Sequence, residues 1–308
     1  MKRSKYDIAQ LAILTIVLCL PALGFARAEK KIVETYALER TGKVYLENVA
    51  GDITVSTWDK DAIEITAIKR GGRERDLDDV TIDIRQSDGN IRIITKYDRE
   101  FSLFRSRSVS VHYEIVVPSK ASVRVKSVSG DVEVRKIGGL LNVETVSGEI
   151  EVRVAENDVQ CKSTSGDIDL ESIKGDADLN TVSGEISIQE IEGSVEARTV
   201  SGDIEMGAFS HAEEIEASST SGDIDLQGEL SRGGIYRLDS FSGDTKVVIP
   251  SGSDFELSAK TFSGSVDCDF ELKMSGKFDP KEVRGTVGKG GANLAISSFS
   301  GSIRIMKR

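Results

Sequence analysis

Histidine, cysteine, proline and tryptophan are nearly missing: two, three, four and one residue in a chain of 308. The two histidines, His112 and His211, stand in unrelated contexts with no metal-ligand spacing around either. Cys19 lies in the extreme N-terminal segment, which leaves only Cys161 and Cys268 and excludes a disulfide framework even in an oxidising compartment. No GxSxG elbow, P-loop or paired CxxC occurs. Basic charge is short too, with 40 Lys and Arg against 51 Asp and Glu, a net −11. Nucleic acid, whose phosphates demand a basic face, is therefore not a partner.

An apolar run long enough to span a bilayer is also lacking. The longest is LAILTIVLCLPALGF, Leu11 to Phe25, which is interrupted by Pro21 and is short of the ~20 residues a spanning helix needs. Lys2, Arg3 and Lys5 precede it, and Ala26-Arg27-Ala28 supplies a small-x-small cleavage pattern. Residues 1–28 thus read as a signal peptide cleaved near Ala28, sending the protein to the periplasm, the cell surface or the medium. Val17-Leu18 before Cys19 is not a lipidation site. Lys2, Arg3, Lys5, Arg27 and Asp7 leave with the peptide, so the remaining chain carries 36 basic and 50 acidic residues, a net −14.

What the chain has in quantity is glycine, 29 residues, and one phrase repeated around it. TVSGEI occupies Thr145 to Ile150 and returns letter for letter at Thr181 to Ile186. Relatives of it begin at Ser127, Ser163, Thr199, Ser219, Ser240, Thr261 and Ser298. Its glycines stand at Gly130, Gly148, Gly166, Gly184 and Gly202, each eighteen places after the last, then at 222, 243, 264 and 301. Gly139, Gly175 and Gly193 fall midway, and Asn157 takes the remaining midpoint. Gly and Asn tolerate left-handed backbone, so a corner is expected at every ninth position.

Apolar residues follow the same clock. Counting from Gly130, Val132, Val134 and Ile137 are followed by Leu141, Val143 and Val146, giving G-x-h-x-h-x-x-h-x twice per repeat. Alternation at +2 and +4 is strand periodicity. Six inward side chains cannot close a core, whereas stacked coils cover one another and share strand hydrogen bonds. The fold class is therefore all-β: a single-stranded, parallel β-helix-like β-solenoid of two-sided coils over residues 120–308, stacked about 4.8 Å apart. Residues 29–119 form a less regular β region continuous with it. There Gly51 is flanked by Val44, Leu46, Val49, Ile53, Val55 and Trp58, and Gly89 by Ile82, Ile84, Ile91 and Ile93. Charged insertions at 69–79 and 95–108 and another at 271–291 interrupt the pattern. Six arginines in the first two (70, 73, 75, 99, 105, 107) suggest a docking end opposite in sign to the repeat.

The opening LENVAGDITV from Leu46, the stretch VPSKASVRVKSVSGDVEV and the closing GTVGKGGANLAISSFSGSIRI resemble the bacterial β-strand-repeat family labelled "putative adhesin". The resemblance covers residues 30–308. It implies a parallel β-helix-like solenoid at the cell envelope, in some members tied to envelope stress, with no catalytic residues to carry over.

If +2 and +4 point inward, +1 and +3 point outward. The +1 column is Asp131, Glu149, Asp167, Glu185, Asp203, Asp223 and Asp244, with a second acidic column at +3. One reading is a solvated face that discourages lateral aggregation; the other is loose, multivalent binding of divalent cations or a cationic partner. A closed calcium site is not expected, because the GGxGxD turn of calcium β-rolls is missing. Hydroxyls at −3 and −1 (Thr145/Ser147, Ser163/Ser165, Thr181/Ser183, Thr199/Ser201, Ser219/Ser221) suit an exposed strand leading to a corner. Such ladders also resemble ice-binding or carbohydrate-facing ones. The −2 residue, Val or Thr up to Thr220 and then Phe241, Phe262 and Phe299, is expected inward, widening the core towards the C-terminus. Cys161 and Cys268 fall on inward positions about five coils apart, too far for a disulfide, and are expected to be buried free thiols.

These residues build a shape rather than an active site. The function expected is that of an exported, non-catalytic envelope protein presenting an extended β surface to an envelope component, a surface polysaccharide or a protein. A purely structural spacer is the alternative, and a carbohydrate-active β-helix enzyme a distant third. No cofactor is expected beyond weak divalent cation binding.

Overall fold

The structure is a computed structural model that describes residues 28–97, 109–209, 212–274 and 279–308. The segment 1–27 with its export signal, the insertion residues Arg99, Arg105 and Arg107, and His211 lie outside the described residues. What is described is all-β, apart from a 3-10 turn at Glu74–Asp79 inside the first charged insertion. The strands form two sheets, 13 and 14 strands wide among the described residues.

Between residues 122 and 249 the chain alternates between the sheets, one strand in each per repeat. Leu141–Ser147 in one sheet turns at Gly148 into Ile150–Ala155 in the other. Neighbouring strands are parallel, and the register repeats the sequence period. Ile150 pairs with Ile168, Ile168 with Ile186 and Ile186 with Ile204. Across the molecule Val143 pairs with Cys161, Cys161 with Leu179 and Leu179 with Ala197. Each of these side chains is buried, so the strand period of two becomes two facing apolar columns that fill the space between the sheets. The residues at +7, Ile137, Ala155, Ile173 and Ile191, are buried as expected.

Crowding holds glycine at these corners, and handedness adds to it at only some of them. Gly130 has φ +126°, but Gly139, Gly166, Gly175, Gly184 and Gly193 lie outside the left-handed region, as does Asn157. A Cβ added to Gly166, Gly184 or Gly202 would stand 2.1, 2.2 or 1.9 Å from the carbonyl oxygen of the glycine one coil earlier. At the midpoint, a Cβ on Gly193 would meet Gly175 O at 2.2 Å. At these glycines the backbones stack so closely that no side chain fits between them, while the midpoint at Asn157 carries one.

Both ends depart from simple sequential stacking. The coil Lys43–Ala50 and Ile53–Trp58 pairs directly onto Ser122–Ser129 and Val132–Val134, with the intervening chain folded outside it. At the other end Ala292–Ser300 and Ile303–Lys307 insert between the 235–249 coil and the 255–268 coil. Parallel pairing then gives way to antiparallel caps: Ala28–Ala37 on Ala62–Gly71, and Glu282–Val287 on Phe255–Ser263. Gly89 is not a coil corner. With Asp88 (φ +50°) and Gly89 (φ +73°) at its tip, the Asp-Gly pair makes a two-residue hairpin joining Val80–Ser87 to Asn90–Tyr97.

Candidate binding surface at the repeat corner

Each letter of TVSGDI has a separate task, and two of them are not the expected ones. The −3 hydroxyl residues point inward: Ser127, Thr145, Ser163, Thr181, Thr199, Ser219, Ser240, Thr261 and Ser298 are all buried. Thr181 Oγ1 donates to Gly166 O and Thr199 Oγ1 to Gly184 O, both at 3.2 Å, and Thr261 Oγ1 donates to Gly301 O at 2.8 Å. Ser127, Thr145, Ser163 and Ser298 hold the same inward place without a partner. At the others, Ser219 to Gly202 O and Ser240 to Gly222 O among them, a short hydroxyl from the neighbouring coil gives a carbonyl a donor. Asn48 does this at the first corner, its amide donating to Gly51 O (3.0 Å) and Val111 O (2.9 Å).

The residue displaced outward is the one at −2. Val128, Val146, Val182, Val200, Phe241, Phe262 and Phe299 are between 44% and 65% exposed. The core does not widen towards the C-terminus through these phenylalanines. They stack on the outside: Phe241 on Phe299 at 4.8 Å between centroids, and Phe299 on Phe262 at 4.9 Å, with rings parallel within 7°. The alternation of the strand simply continues one residue further than the sequence pattern suggested, and the apolar letter lands on the wrong side for a core.

The +1 carboxylates do face outward, and the aspartates among them are in use. Asp131 Oδ1 accepts the amide N–H of Glu149 at 3.0 Å, and Asp167 Oδ1 that of Glu185 at 2.8 Å. Asp203 accepts from Asp223 N and Asp223 from Asp244 N, at 2.8 and 2.7 Å. At the opposite corner Asp158 and Asp176 do the same for Asp176 N and Ser194 N. Each Asp therefore caps an amide that the parallel ladder leaves free, which explains why Asp dominates a position where charges repel. Where Glu interrupts the column the repulsion shows. Desolvation, followed by a hydrogen bond and charge from Glu149, raises the Asp169 carboxyl to about 6. Glu185 is raised as well, by desolvation and then by Glu205, Asp167 and Asp203. Among the described residues, no three His, Cys, Asp or Glu side chains are grouped so as to hold a metal ion.

One constellation escaped the sequence reading. Ser110 Oγ lies 3.0 Å from His112 Nε2, and His112 Nδ1 lies 3.2 Å from an Asp52 carboxylate oxygen. The resemblance to a nucleophile triad stops at Nδ1, which accepts the backbone N–H of Asp52 at 3.2 Å. With Nδ1 an acceptor, the neutral imidazole carries its proton on Nε2 and donates to the serine instead of taking its proton. On the face of the sheet containing Leu141–Ser147, a groove of about 760 Å³ is lined by Arg124, Leu140, Asn142, Gln160, Asp178 and Glu196, among others. Its polar residues are already bonded along the coils: Gln160 Nε2 donates to Asp178 at 2.6 Å, and Arg124 pairs with Glu144, outside the groove, at 2.6 Å.

Neither the cysteines nor the arginines of the first insertion join this surface. Cys161 is buried and free, and burial pushes its thiol pKa far up; Cys268 is free but only half-buried, because its strand is the last in its sheet. Arg70 pairs with Glu29 at 3.0 Å and Arg75 with Asp76 at 4.0 Å, so two of the three described arginines of the basic insertion are locally compensated. Among the described residues, no helix is long and apolar enough to cross a membrane.

Two sheets of stacked corners with antiparallel caps define the class of protein. The chain belongs to the Toastrack DUF4097 family, whose model matches residues 42–306. Among curated proteins none matches the chain. Solved structures similar to it include a "putative adhesin" from Bacteroides fragilis NCTC 9343, 13% identical over 92% of this chain and 100% of that one, with a TM-score of 0.42. A "putative lipid binding protein" from Parabacteroides distasonis ATCC 8503 is 15% identical over 90% and 97% of the two chains, with a TM-score of 0.42. A "putative adhesin" from Parabacteroides merdae ATCC 43184 is 13% identical over 90% and 96%, with a TM-score of 0.35.

Proposed function

We propose that this is an exported, non-catalytic cell-envelope protein that presents an extended β surface for binding, in the adhesin sense. The observation that carries the reading is the −2 column. Every other letter of the repeated phrase is consumed in building the corner: inward hydroxyl, ladder serine, crowded glycine, amide-capping aspartate, core isoleucine. Val and Phe at −2 build nothing inside, and a soluble surface gains nothing by exposing them in register. A continuous single-stranded β-solenoid gives this column its length. The non-catalytic part of the reading is supported by the acceptor role of His112 Nδ1 and by coils too short to raise a cleft of loops.

The test is cosedimentation of the purified protein with separated outer membrane, peptidoglycan and soluble polysaccharide, with and without EDTA. Saturable binding to one fraction, weakened by Val182→Ser with Val200→Ser or by Phe241→Ser with Phe299→Ser, is expected. Loss with EDTA would add a cation-bridging role for the acidic column. Absence of binding to every fraction would leave a structural spacer, the reading that the amide-capping aspartates favour.

A further inference from the structure

The outward columns do not run unchanged along the molecule; three of them change at the C-terminal end, all three at once in the coil of Phe299. Where −2 is Val or Thr, +1 is acidic and +3 is acidic in most coils: Glu133, Glu151, Asp169, Glu205 and Asp225. In the coil of Phe241, +3 becomes Lys246. In the coil of Phe299, +1 becomes Ser302 and +3 becomes Arg304. In the coil of Phe262, +1 becomes Ser265, although +3 is Asp267. The order in space is 241, 299, 262, because the chain's last coil is inserted between the other two. Residues 245–308 carry ten Lys and Arg against seven Asp and Glu, whereas residues 29–244 carry 26 against 43. Aromatic exposure thus appears where carboxylates are withdrawn and cations brought in.

The stack itself limits what it can hold. Phe299 has a ring on each face, and Lys281 Nζ stands 5.9 Å from the Phe262 centroid while donating to Phe262 O at 3.0 Å. Sugar recognition needs a free aromatic face, and this stack spends its faces on itself and presents ring edges. Ring edges beside Lys281, with Lys246 and Arg304 five residues further along two of the same coils and past the corner, suit a boundary between acyl chains and phosphate headgroups. Two acids of the Phe241 coil are engaged: Asp239 accepts from Ser297 Oγ, and Asp244 from Ser302 N at 2.8 Å. Lys246 stands 3.6 Å from an Asp225 oxygen and would exchange that exposed pair for a phosphate.

We propose that the C-terminal end docks on an anionic lipid surface, the edges of Phe241, Phe299 and Phe262 entering the acyl boundary while Lys246, Lys281 and Arg304 meet headgroup phosphates. This rests on the binding-surface reading above and names its partner. The overall negative charge does not forbid it, provided that the molecule approaches tilted, with the C-terminal coils lowest and the ring edges turned to the surface. Screening acts over about 8 Å at physiological salt, so acidic coils that the tilt lifts further than that from the surface are largely screened.

The experiment places a reporter in the stack, Phe262→Trp in the full chain, and mixes it with vesicles of equimolar phosphatidylglycerol and phosphatidylcholine carrying brominated acyl chains. Trp58, the chain's one natural tryptophan, lies in a coil at the far end of the stack and serves as the internal reference. Quenching of the Phe262→Trp signal but not of Trp58 in the parent chain is expected. It should fall severalfold with phosphatidylcholine alone, in high salt, and in Lys246→Glu with Arg304→Glu, with circular dichroism unchanged. Equal quenching of both tryptophans, or quenching indifferent to lipid charge and to these substitutions, would overturn the proposal, since attachment would then run through another part of the chain. An unquenched Phe262→Trp would overturn it too. If the Phe241→Ser, Phe299→Ser variant then still lost binding to peptidoglycan or polysaccharide, the binding surface would stand without its lipid partner. If that variant instead abolished self-association, the lipid proposal would fall and the stack would be a contact between copies.

Discussion

Replacing Gly184 by Ala isolates the physical reason for the glycine ladder. Gly184 lies outside the left-handed region, so an alanine there meets no conformational penalty of its own. Its Cβ would, however, stand 2.2 Å from Gly166 O, far inside ordinary contact, which begins at 3.4 Å, and the atom it meets is backbone. Opening the gap to that distance strains three bonds across it. These are Gly166 N–H to Ser183 O (3.2 Å), Ser183 N–H to Thr164 O (3.0 Å) and Thr181 Oγ1 to Gly166 O (3.2 Å). Overpacking of this kind costs about 1–3 kcal/mol, and two weakened backbone hydrogen bonds add about 1 kcal/mol each. Gly184→Ala should therefore destabilise the protein by about 3–5 kcal/mol. Gly252, with nothing within 4 Å of an added Cβ, is the control and should change by less than about 1 kcal/mol on substitution by Ala. Urea denaturation followed by far-ultraviolet circular dichroism measures both, with midpoints compared directly because stacked repeats can unfold in parts. A Gly184→Ala midpoint matching that of the Gly252→Ala protein would refute the crowding argument.

Two threonines at the same repeat position should behave oppositely. Thr199→Val loses the bond to Gly184 O and should cost about 1 kcal/mol, whereas Thr145→Val removes a buried hydroxyl without a partner and should be neutral or stabilising by the same measurement. The Asp169 carboxyl, raised to about 6, contributes stability that is present below about pH 4 and lost as the pH rises through 6. Because it is partly exposed, the discounted effect is about 1 kcal/mol. Asp169→Asn should raise the thermal midpoint at pH 8 and leave it nearly unchanged at pH 4; the reverse order would show that the Glu149 contact is not repulsive. Thiol reagents should label half-buried Cys268 in the native protein well before Cys161, which reacts only on unfolding, and equal rates would contradict the placement of the two strands.

Much of the architecture is legible in the amino-acid order. A repeat with apolar residues at +2, +4, +7, +11 and +13 dictates stacked strands and their register, because only in-register stacking buries those columns on both sides. The columns Ile150-Ile168-Ile186 and Val143-Cys161-Leu179 follow from counting. The acidic column could be read off as well, but its purpose could not. Only the coordinates show Asp167 Oδ1 on Glu185 N, since a capping bond depends on the distance between coils and not on spacing within one.

The corner itself was decided by tertiary structure. In TVSGEI a hydrophobicity argument puts Val146 inside and Thr145 outside, yet the reverse holds. In the second copy of the phrase the reason is visible: Thr181 Oγ1 gives Gly166 O a donor that a valine could not, whereas Thr145 keeps the same inward place without a partner. The same reversal turned Phe241, Phe262 and Phe299 from expected core residues into an exposed stack. Insertion of the last coil between two earlier ones is likewise beyond a local pattern. The repeated phrase looks alike from coil to coil, so only the tertiary structure shows Ala292–Ser300 lying between Ile235–Ser242 and Phe255–Ser263, with the antiparallel strand Glu282–Val287 covering the other edge of Phe255–Ser263.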